Sequence, residues 1–217
     1  MGYAIHPQTS FCHSGDRLII IDLRSNQYYC LPNRMRAAFA NLCAGANLGA
    51  EDELTLRSLF DSGFLRKTEH PGLPEPCSVK VEELVAAIEG TVTVGDLASF
   101  TLSFVRANLQ VKRKPLLSAL SRLRITRSRQ ENLQSDCLAA RAAEVSKRFS
   151  IAHSMQGKCL VHSLAVADWL VRRDARPRLV FGVIGRPFAA HCWVQLGNIV
   201  VNDRPEHVRM FTPVMVI

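Results

Sequence analysis

The sequence predicts an α+β protein, in which helices and antiparallel strands occupy separate parts of the chain. Near the start, β-rich runs are followed by segments with helical spacing of apolar residues. Later, a long apolar helical pattern over 159–171 is followed by the β-branched runs RPRLVFGVIG, AAHCWVQL and NIVVND. Helices followed by a meander of strands are typical of the α+β class.

The first 68 residues predict a small ββ-αα-β unit. Its elements in order are the strands RLIIIDL (17–23) and QYYCL (27–31), the helices MRAAFANLC and ELTLRSLF, and a closing strand in GFLRK. Asn33 is placed to cap the first helix, and Gly63 is placed to end the second. This order of elements is similar to that of a winged helix-turn-helix.

A composition change predicts a domain boundary after this unit. Residues 69–78, EHPGLPEPCS, hold three prolines and one glycine, which is typical of a linker. We therefore expect one domain over 1–68, a linker over 69–78 and a second domain over 79–217. The second domain begins with helical patterns in VEELVAAIEG, VGDLASFTLSFVRANL and CLAARAAEVSKRF.

Composition indicates an ordinary folded protein of a reducing compartment. Hydrophobic residues make up 47% and charged residues 21% of the chain, and no apolar run is long enough to span a bilayer. The N-terminus lacks the pattern of a secretion signal. The seven cysteines are odd in number and form no CxxC pair, so reduced thiols and a cytoplasmic location are expected.

The net charge of +8 admits more than one kind of partner. No acidic residue occurs over 97–130, which is either a solvated basic face or a docking surface for an acidic partner. A DNA-binding regulator is disfavoured, because the second predicted helix, EDELTLRSLFDSG, carries four acidic residues and a single arginine. We expect no nucleic-acid partner.

Cys159 is the strongest candidate for a reactive group. It stands after Gly157 and Lys158 at the start of an apolar helical pattern. Backbone N–H groups at a helix start and a neighbouring cation both lower a thiol pKa. Gly157 allows a tight turn into the helix, which would leave the sulfur at an exposed corner.

His191 and Asp203 are candidates for the base and for the carboxylate that orients it. They flank the turn at Gly197-Asn198 between two predicted strands. A three-residue turn at 196–198 places the two side chains opposite each other on one face, whereas a two-residue turn separates them. A shared role therefore predicts a three-residue turn or a bulge.

Two other interpretations of Cys159 stay open at this point. Free cysteine is among the most buried residue types, so Cys159 can be a core residue without a chemical role. A metal site built from Cys159, His162 and His191 is also conceivable, but it lacks paired cysteines, and no metal is expected. His162 and Cys192 are interpreted as space-filling or pocket-lining residues.

The segments GKCLVHSLAVADWL and AAHCWVQLGNIVVND resemble the transglutaminase-like cysteine peptidase domain of lasso-peptide maturation B proteins. The resemblance implies a transglutaminase/papain-like domain with a nucleophile-bearing helix packed on an antiparallel sheet. It also implies that Cys159 is the nucleophile, His191 the general base and acid, and Asp203 the orienting carboxylate. Gln156 would help to stabilise the oxyanion.

The front segment, RLIIIDLRSNQYYCLP with LFDSGFL, is similar to the PqqD-like leader-recognition domain of peptide-modifying systems. That resemblance implies that a leader peptide adds as a strand beside about 26–31 and packs against about 51–62. The candidate leader contacts are Tyr28, Leu31, Leu56 and Phe60. Each of them can equally be a core residue.

Together the two resemblances imply a leader peptidase for a ribosomally made lasso precursor, which prepares the core peptide for macrolactam formation. The implied partners are the precursor peptide and an asparagine-synthetase-like cyclase, through which activity could depend on ATP. No P-loop is present, and no cofactor bound by the chain itself is expected. The alternative is an acyltransferase or transglutaminase that uses the same three residues. Neither of these two functions requires a membrane.

Overall fold

The computed structural model describes residues 2–69, 72–81, 91–113, 115–124, 134–153 and 157–217. The chain forms two compact units. The first consists of Met1–Ser78 with Gly185–Pro187, and the second consists of Val79–Ile184 with Phe188–Ile217. Within the part described, no helix has the length and apolar character needed to cross a bilayer.

The first unit contains five strands and two helices among its described residues. In chain order these are β1 (Gly2–Ile5), β2 (Thr9–Ser14), β3 (Arg17–Asp22), β4 (Gln27–Cys30), α1 (Asn33–Cys43), α2 (Ala50–Asp61) and β5 (Leu65–Thr68). β2, β3 and β4 form an antiparallel sheet in that order, and β1 pairs with β5. The predicted strands, helices and closing strand are confirmed. β1 and β2 were not predicted, because β1 has only 4 residues and because Thr, Ser and His interrupt the apolar pattern of β2.

The start of α1 differs from the prediction, whereas the end of α2 agrees with it. Asn33 does not cap α1: it is the first helical residue, and Pro32 before it offers no side-chain cap. Gly63 does end α2, as predicted. It takes φ +70°, and its N–H and that of Phe64 donate to the carbonyls of Phe60 and Leu59 at 2.9 Å. This closes the helix in the left-handed conformation that glycine favours.

The core of the first unit lies between its helices and the β2-β3-β4 sheet. Phe11 and Phe39 meet edge to face, with ring centroids 5.0 Å apart. Leu18 and Leu56 are fully buried in the same cluster. Residues 72–78, from the proline-rich segment, also belong to this unit, where Gly72 accepts from the Tyr3 N–H at 3.0 Å.

The second unit combines helices with a four-stranded antiparallel sheet, which confirms the α+β class. Its elements are α3 (Val94–Arg113), α4 (Leu116–Arg124), α5 (Gln134–Ala152), α6 (Cys159–Val171), β6 (Pro177–Ile184), β7 (Ala189–Leu196), β8 (Ile199–Val200), α7 (Pro205–Val208) and β9 (Thr212–Val216). The strand order is β8-β7-β6-β9. The predicted helix VEELVAAIEG lies almost wholly outside the described residues.

Helix α6 is the central element of this unit. It packs against α3 on one side and against β6 and β7 on the other, and nine of its residues are buried. Its apolar residues therefore surround the helix, rather than forming one stripe as in a surface helix. The burial fixes the position of the helix start, where Cys159 stands.

The far end of α6 is held by a buried carboxylate. Asp96 is 2% exposed, and its two oxygens accept from Arg141 at 2.7 Å and from Arg173 at 3.2 Å. Burial would raise the pKa of Asp96, but hydrogen bonds from Thr93 and Arg141 lower it to about 2. Arg173 also stacks on the Trp169 ring, 3.5 Å from its centroid. These contacts link α3, α5 and α6.

Candidate active site

Cys159 is the first residue of α6, as the sequence predicts. Gly157 takes φ +69° two residues earlier, a conformation that side chains rarely adopt, and this turns the chain into the helix. The carbonyl of Lys158 accepts the first helical hydrogen bond, from the His162 N–H at 2.9 Å. Cys159 therefore stands at the end of the helix where the N–H groups have no acceptor within the helix, and this end favours an anion.

His191 lies on β7, and the hairpin that follows β7 has a shorter turn than the three-residue turn predicted. Leu196 pairs with Ile199 in the β7–β8 hairpin, so the turn has two residues, Gly197 and Asn198. The predicted three-residue turn is therefore wrong, which leaves the other predicted alternative, a bulge. Gly197 takes φ +61°, which closes the tight turn. If this register continued, Asp203 would lie opposite Cys192 and on the other face from His191.

The chain leaves the sheet before Asp203, and this allows the Asp203 side chain to contact His191. The Val201 N–H still donates to the Val194 carbonyl at 3.0 Å. The Val194 N–H, however, donates to the side chain of Asn202 at 2.7 Å instead of to a backbone carbonyl. Residues 201–203 form a bend. The predicted strand NIVVND is therefore a strand over Ile199–Val200 alone.

Asp203 and His191 form a short hydrogen bond. His191 Nε2 lies 2.6 Å from Asp203 Oδ2, and the other carboxylate oxygen accepts from the Arg204 N–H at 2.7 Å. Burial would raise the pKa of Asp203, but the hydrogen bond from His191 and further donors lower it to about 2. The carboxylate is therefore charged, and it acts as acceptor for the imidazole N–H.

The pKa of Cys159 is set mainly by its neighbours Cys192 and His191. Hydrogen bonds with Cys192 and with His191 lower the pKa of Cys159 to about 4, against burial that raises it. Burial lowers the pKa of His191, but its hydrogen bonds with Asp203 and Cys159 raise it to about 9. At pH values between about 4 and about 9, Cys159 is therefore a thiolate and His191 an imidazolium. The thiolate is the form in which a cysteine is nucleophilic.

His207 is a second imidazole on the same carboxylate, and the sequence reading missed it. Its Nδ1 lies 2.8 Å from Asp203 Oδ2, and its ring centroid lies 5.0 Å from that of His191. Pro205 begins the short helix α7, and His207 is four residues after Asp203. An Asp followed by Pro and by a His at the fourth position is the sequence signal that could have indicated this contact.

A buried polar network lies behind Cys159. Ser163, one helical turn further along α6, is fully buried, and its hydroxyl donates to the Cys192 carbonyl at 2.9 Å. The Asn202 amide donates to the same hydroxyl oxygen at 2.9 Å. The network therefore connects the helix that carries Cys159 with the strand and the bend that carry His191 and Asp203. Neither Ser163 nor Asn202 was singled out from the sequence.

The residues proposed for a metal site are arranged differently. His162 is buried, and its Nε2 lies 3.1 Å from Ser146 Oγ. Burial lowers the pKa of His162 to about 4, so the ring is a neutral core residue. His191, Asp203 and His207 instead have ligand atoms within 4.8 Å of one another and could hold a metal ion. Hydrogen bonds from His191 and His207 to Asp203 already explain why these three side chains lie close together.

The candidate oxyanion donor and the candidate leader contacts differ in how far they are exposed. Gln156 lies outside the described residues. Leu56 is fully buried and Leu31 is 8% exposed, so both are core residues of the first unit rather than surface contacts. Tyr28 and Phe60 are half-buried. β4, which carries Tyr28, is an edge strand of its sheet.

Comparisons with known proteins agree with this geometry. Residues 101–216, slightly more than half of the chain, match the family model of the transglutaminase-like superfamily. A segment of 65 residues is 38% identical to the microcin J25-processing protein McjB of Escherichia coli. The match covers 29% of this chain and 31% of that protein, so the chain matches less than a third of that relative's length. No solved structure matches significantly.

Proposed function

Because the chain belongs to the transglutaminase-like superfamily, we propose that it is a cysteine peptidase that removes the leader from a ribosomally made lasso precursor. The observation that carries the proposal is the relay from the Cys159 thiol through His191 to Asp203. A nucleophile, a base and an orienting carboxylate in contact are what covalent acyl transfer requires. The name of the relative McjB, a microcin-processing protein, supports a peptide precursor as substrate.

In the proposed mechanism, the Cys159 thiolate attacks the carbonyl carbon of the last leader residue. Negative charge then develops on the carbonyl oxygen, which the backbone N–H of Cys159 at the helix start can stabilise. Gln156 is a further candidate donor to that oxygen. The resulting tetrahedral intermediate collapses to a thioester when the bond to the core peptide breaks.

His191 supplies the proton for this collapse. As an imidazolium, it protonates the departing amine of the core peptide and becomes neutral. The neutral ring then accepts a proton from water, which hydrolyses the thioester and regenerates the thiolate. Asp203 accepts from Nε2 throughout, which leaves Nδ1 as the ring nitrogen available to Cys159 and the substrate.

We assign leader binding to the first unit. β4 is an edge strand on which an extended peptide can add by backbone hydrogen bonding. Tyr28 and Phe60, which are only half-buried, are the side chains we retain as leader contacts. Tethering such a module to a peptidase raises the local concentration of the scissile bond and adds specificity.

The same proposal has consequences for partners and location. The freed amine of the core is the group that an ATP-using, asparagine-synthetase-like cyclase would join to an acidic side chain. The basic segment 97–130 is the surface we propose for that partner, although part of it lies outside the described residues. All seven cysteines are unpaired, which fits the reducing conditions of the cytoplasm.

The decisive experiment is cleavage of the precursor peptide, followed by mass spectrometry. We expect free leader and free core from the wild-type protein, and no cleavage by Cys159→Ala, which should still bind the leader in a fluorescence anisotropy assay. Cys137→Ala, which removes an exposed thiol from the same unit, is the matched control and should cleave normally. Cleavage by Cys159→Ala would disprove the nucleophile assignment.

Acyl transfer to an amine is the second candidate, because the matched superfamily is named for transglutaminases. The same thioester would form, and an amine would replace water in the second step. Repeating the reaction with a primary amine separates the two functions. Free leader and free core indicate hydrolysis. A leader heavier than free leader by the mass of the amine minus water, or an intact precursor heavier by the mass of the amine minus ammonia, indicates transfer.

A further inference from the structure

Ser163 joins α6 to the strand that carries the proposed base. It stands four positions after Cys159, about one turn further along the helix, and it is fully buried. Its hydroxyl donates to the backbone carbonyl of Cys192 at 2.9 Å, and Cys192 is the residue after His191 on β7. A side chain of the helix that carries the nucleophile is therefore bonded to the strand one residue from the base.

The same hydroxyl also holds the bend that carries the proposed carboxylate. Its oxygen accepts from Asn202 Nδ2 at 2.9 Å, and Asn202 is the residue before Asp203. The Cys192 S–H donates to this oxygen as well, at 3.8 Å. A serine hydroxyl has one hydrogen to donate and two lone pairs that accept, so all three positions at Ser163 are occupied and its orientation is fixed.

We propose that Ser163 is a positioning residue, whose hydroxyl sets the distance between the Cys159 sulfur on α6 and the His191 ring on β7. This inference rests on the proposed peptidase function for its effect on catalysis, and on geometry alone for its effect on the thiol. Apolar packing between α6 and β7 is non-directional, whereas a hydrogen bond restricts both a length and an angle. Such restriction matters here, because a displacement of about 1 Å between reacting groups can cost about 100-fold in rate.

Alkylation of Cys159 by iodoacetamide measures this positioning without a peptide substrate. Mass spectrometry of the peptide that contains Cys159 gives the rate at each pH, and the rate follows the thiolate fraction. The imidazolium of His191 stabilises the thiolate only when the two groups are close. In Ser163→Ala we therefore expect the midpoint of the profile to move upward by about one pH unit. We also expect kcat for precursor cleavage to fall about tenfold with little change in KM.

The pair Ser163→Thr and Ser163→Val separates the hydroxyl from packing. Threonine and valine have the same shape, so strain from the added bulk is common to both variants, and only threonine keeps a hydroxyl. Ser163→Thr should have a midpoint near that of the wild type, and Ser163→Val should have the midpoint of Ser163→Ala. Two variants without the hydroxyl are used so that one misfolded protein does not end the test.

Ser103→Ala is the matched control. Ser103 is also fully buried, and its hydroxyl donates to Asp168 Oδ2 at 2.8 Å, which joins α3 to the far end of α6. Its removal should lower stability and leave the alkylation midpoint and kcat unchanged. Tryptophan fluorescence establishes that each variant is folded.

A wild-type midpoint in the folded Ala and Val variants of Ser163 would overturn the proposal. An equal shift in Ser103→Ala would also overturn it, because any buried serine of the helical layer would then have the same effect. If the midpoints move as expected but the wild-type protein does not cleave the precursor, the peptidase function fails and the positioning role of Ser163 stands.

Discussion

His191 Nε2 lies 2.6 Å from Asp203 Oδ2, although the hairpin register between them points Asp203 to the opposite face of the sheet. The bend at 201–203 removes this conflict, because the Asn202 side chain takes the place of a backbone acceptor for Val194. The relay is thus assembled where regular pairing ends. Irregular strand ends of this kind re-aim side chains beside many active sites.

The first prediction concerns the pH range of cleavage. The active pair forms as Cys159 loses its proton above a pKa of about 4, and it is lost as His191 loses its proton above a pKa of about 9. We therefore expect a bell-shaped dependence of kcat/KM on pH with limbs near these two values. Initial rates of precursor cleavage over pH 3.5 to 10 (roughly the range that spans both limbs) measure it.

The variant Asp203→Asn tests the origin of the alkaline limb. The hydrogen bond with the Asp203 carboxylate raises the pKa of His191, and removing its charge should move that limb downward by about one pH unit. A limb that stays near pH 9 in this variant would show that Asp203 does not set the protonation of His191. A single sigmoidal limb in the wild type would contradict the ion-pair mechanism.

Much of this site could be predicted from the sequence, but its geometry could not. Cys159 follows Gly157 at the start of an apolar helix, and that local pattern defines a helix tip. His191 and Asp203 flank a turn, and the need for contact predicts an irregularity between them. The turn length depends on Gly197 and the bend on the side chain of Asn202, which are tertiary details that spacing does not reveal.

The second prediction concerns His207, which donates to the same carboxylate oxygen as His191. His207→Phe should lower kcat about tenfold with little change in KM, because the carboxylate loses one of the hydrogen bonds that orient it. The alkaline limb should move upward, since a carboxylate with fewer donors attracts the His191 proton more strongly. This direction is opposite to that expected for Asp203→Asn.

Steady-state kinetics at several pH values test both parts of the His207 prediction. Met210→Ala is the control, because Met210 follows α7 and is 60% exposed. It should leave kcat and the pH limbs unchanged. Equal kinetics for His207→Phe and the wild type would mean that Arg204 and His191 orient Asp203 without help.

The third prediction concerns Gly182, which pairs with His191 across β6 and β7. A Cβ at this position would lie 2.6 Å from the Trp193 ring and 2.9 Å from the Phe211 Cβ, and Trp193 is fully buried. The ring cannot move without disturbing the sheet beside His191. Gly182→Ala should therefore lower the free energy of unfolding by about 1 to 3 kcal/mol.

Thermal unfolding followed by tryptophan fluorescence measures this effect in the second unit, because both tryptophans of the chain, Trp169 and Trp193, belong to it. Gly95→Ala is the matched control. Among the residues that the structure describes, a Cβ at Gly95 would meet only Thr93 Oγ1, at 3.6 Å, and alanine favours the helix, so no loss of stability is expected. An unchanged midpoint for Gly182→Ala would mean that the sheet relaxes around the added methyl group.

In the first unit, too, the sequence predicts the elements but not which residues pack into the core. The apolar run RLIIIDL predicts a buried strand, and β3 confirms it. Leu56 and Leu31 were candidates both for leader contact and for the core, since periodicity identifies an apolar face but not what covers it. Their burial assigns both to the core. The surface available to a peptide is therefore narrower than the sequence pattern suggested.

The fourth prediction concerns Asn202, whose amide serves two buried partners. Its Oδ1 accepts from the Val194 N–H at 2.7 Å, and its Nδ2 donates to Ser163 Oγ at 2.9 Å. Asn202→Ala leaves a buried backbone N–H without an acceptor, which should cost about 1 to 3 kcal/mol of unfolding free energy. Because the bend that carries Asp203 would also shift, kcat should fall about 100-fold, as expected for small misplacements of reacting groups.

The variant Asn202→Asp separates the two roles. It keeps an oxygen for the Val194 N–H and loses the donor to Ser163, so we expect most of the stability to be retained and part of the activity to be lost. Asn198→Ala, which removes an amide from the turn of the same hairpin, is the control for kcat, because its Oδ1 accepts from Arg178 rather than from the network behind Cys159. If Asn202→Ala and Asn198→Ala lose activity equally, the bend is not what holds Asp203 against His191.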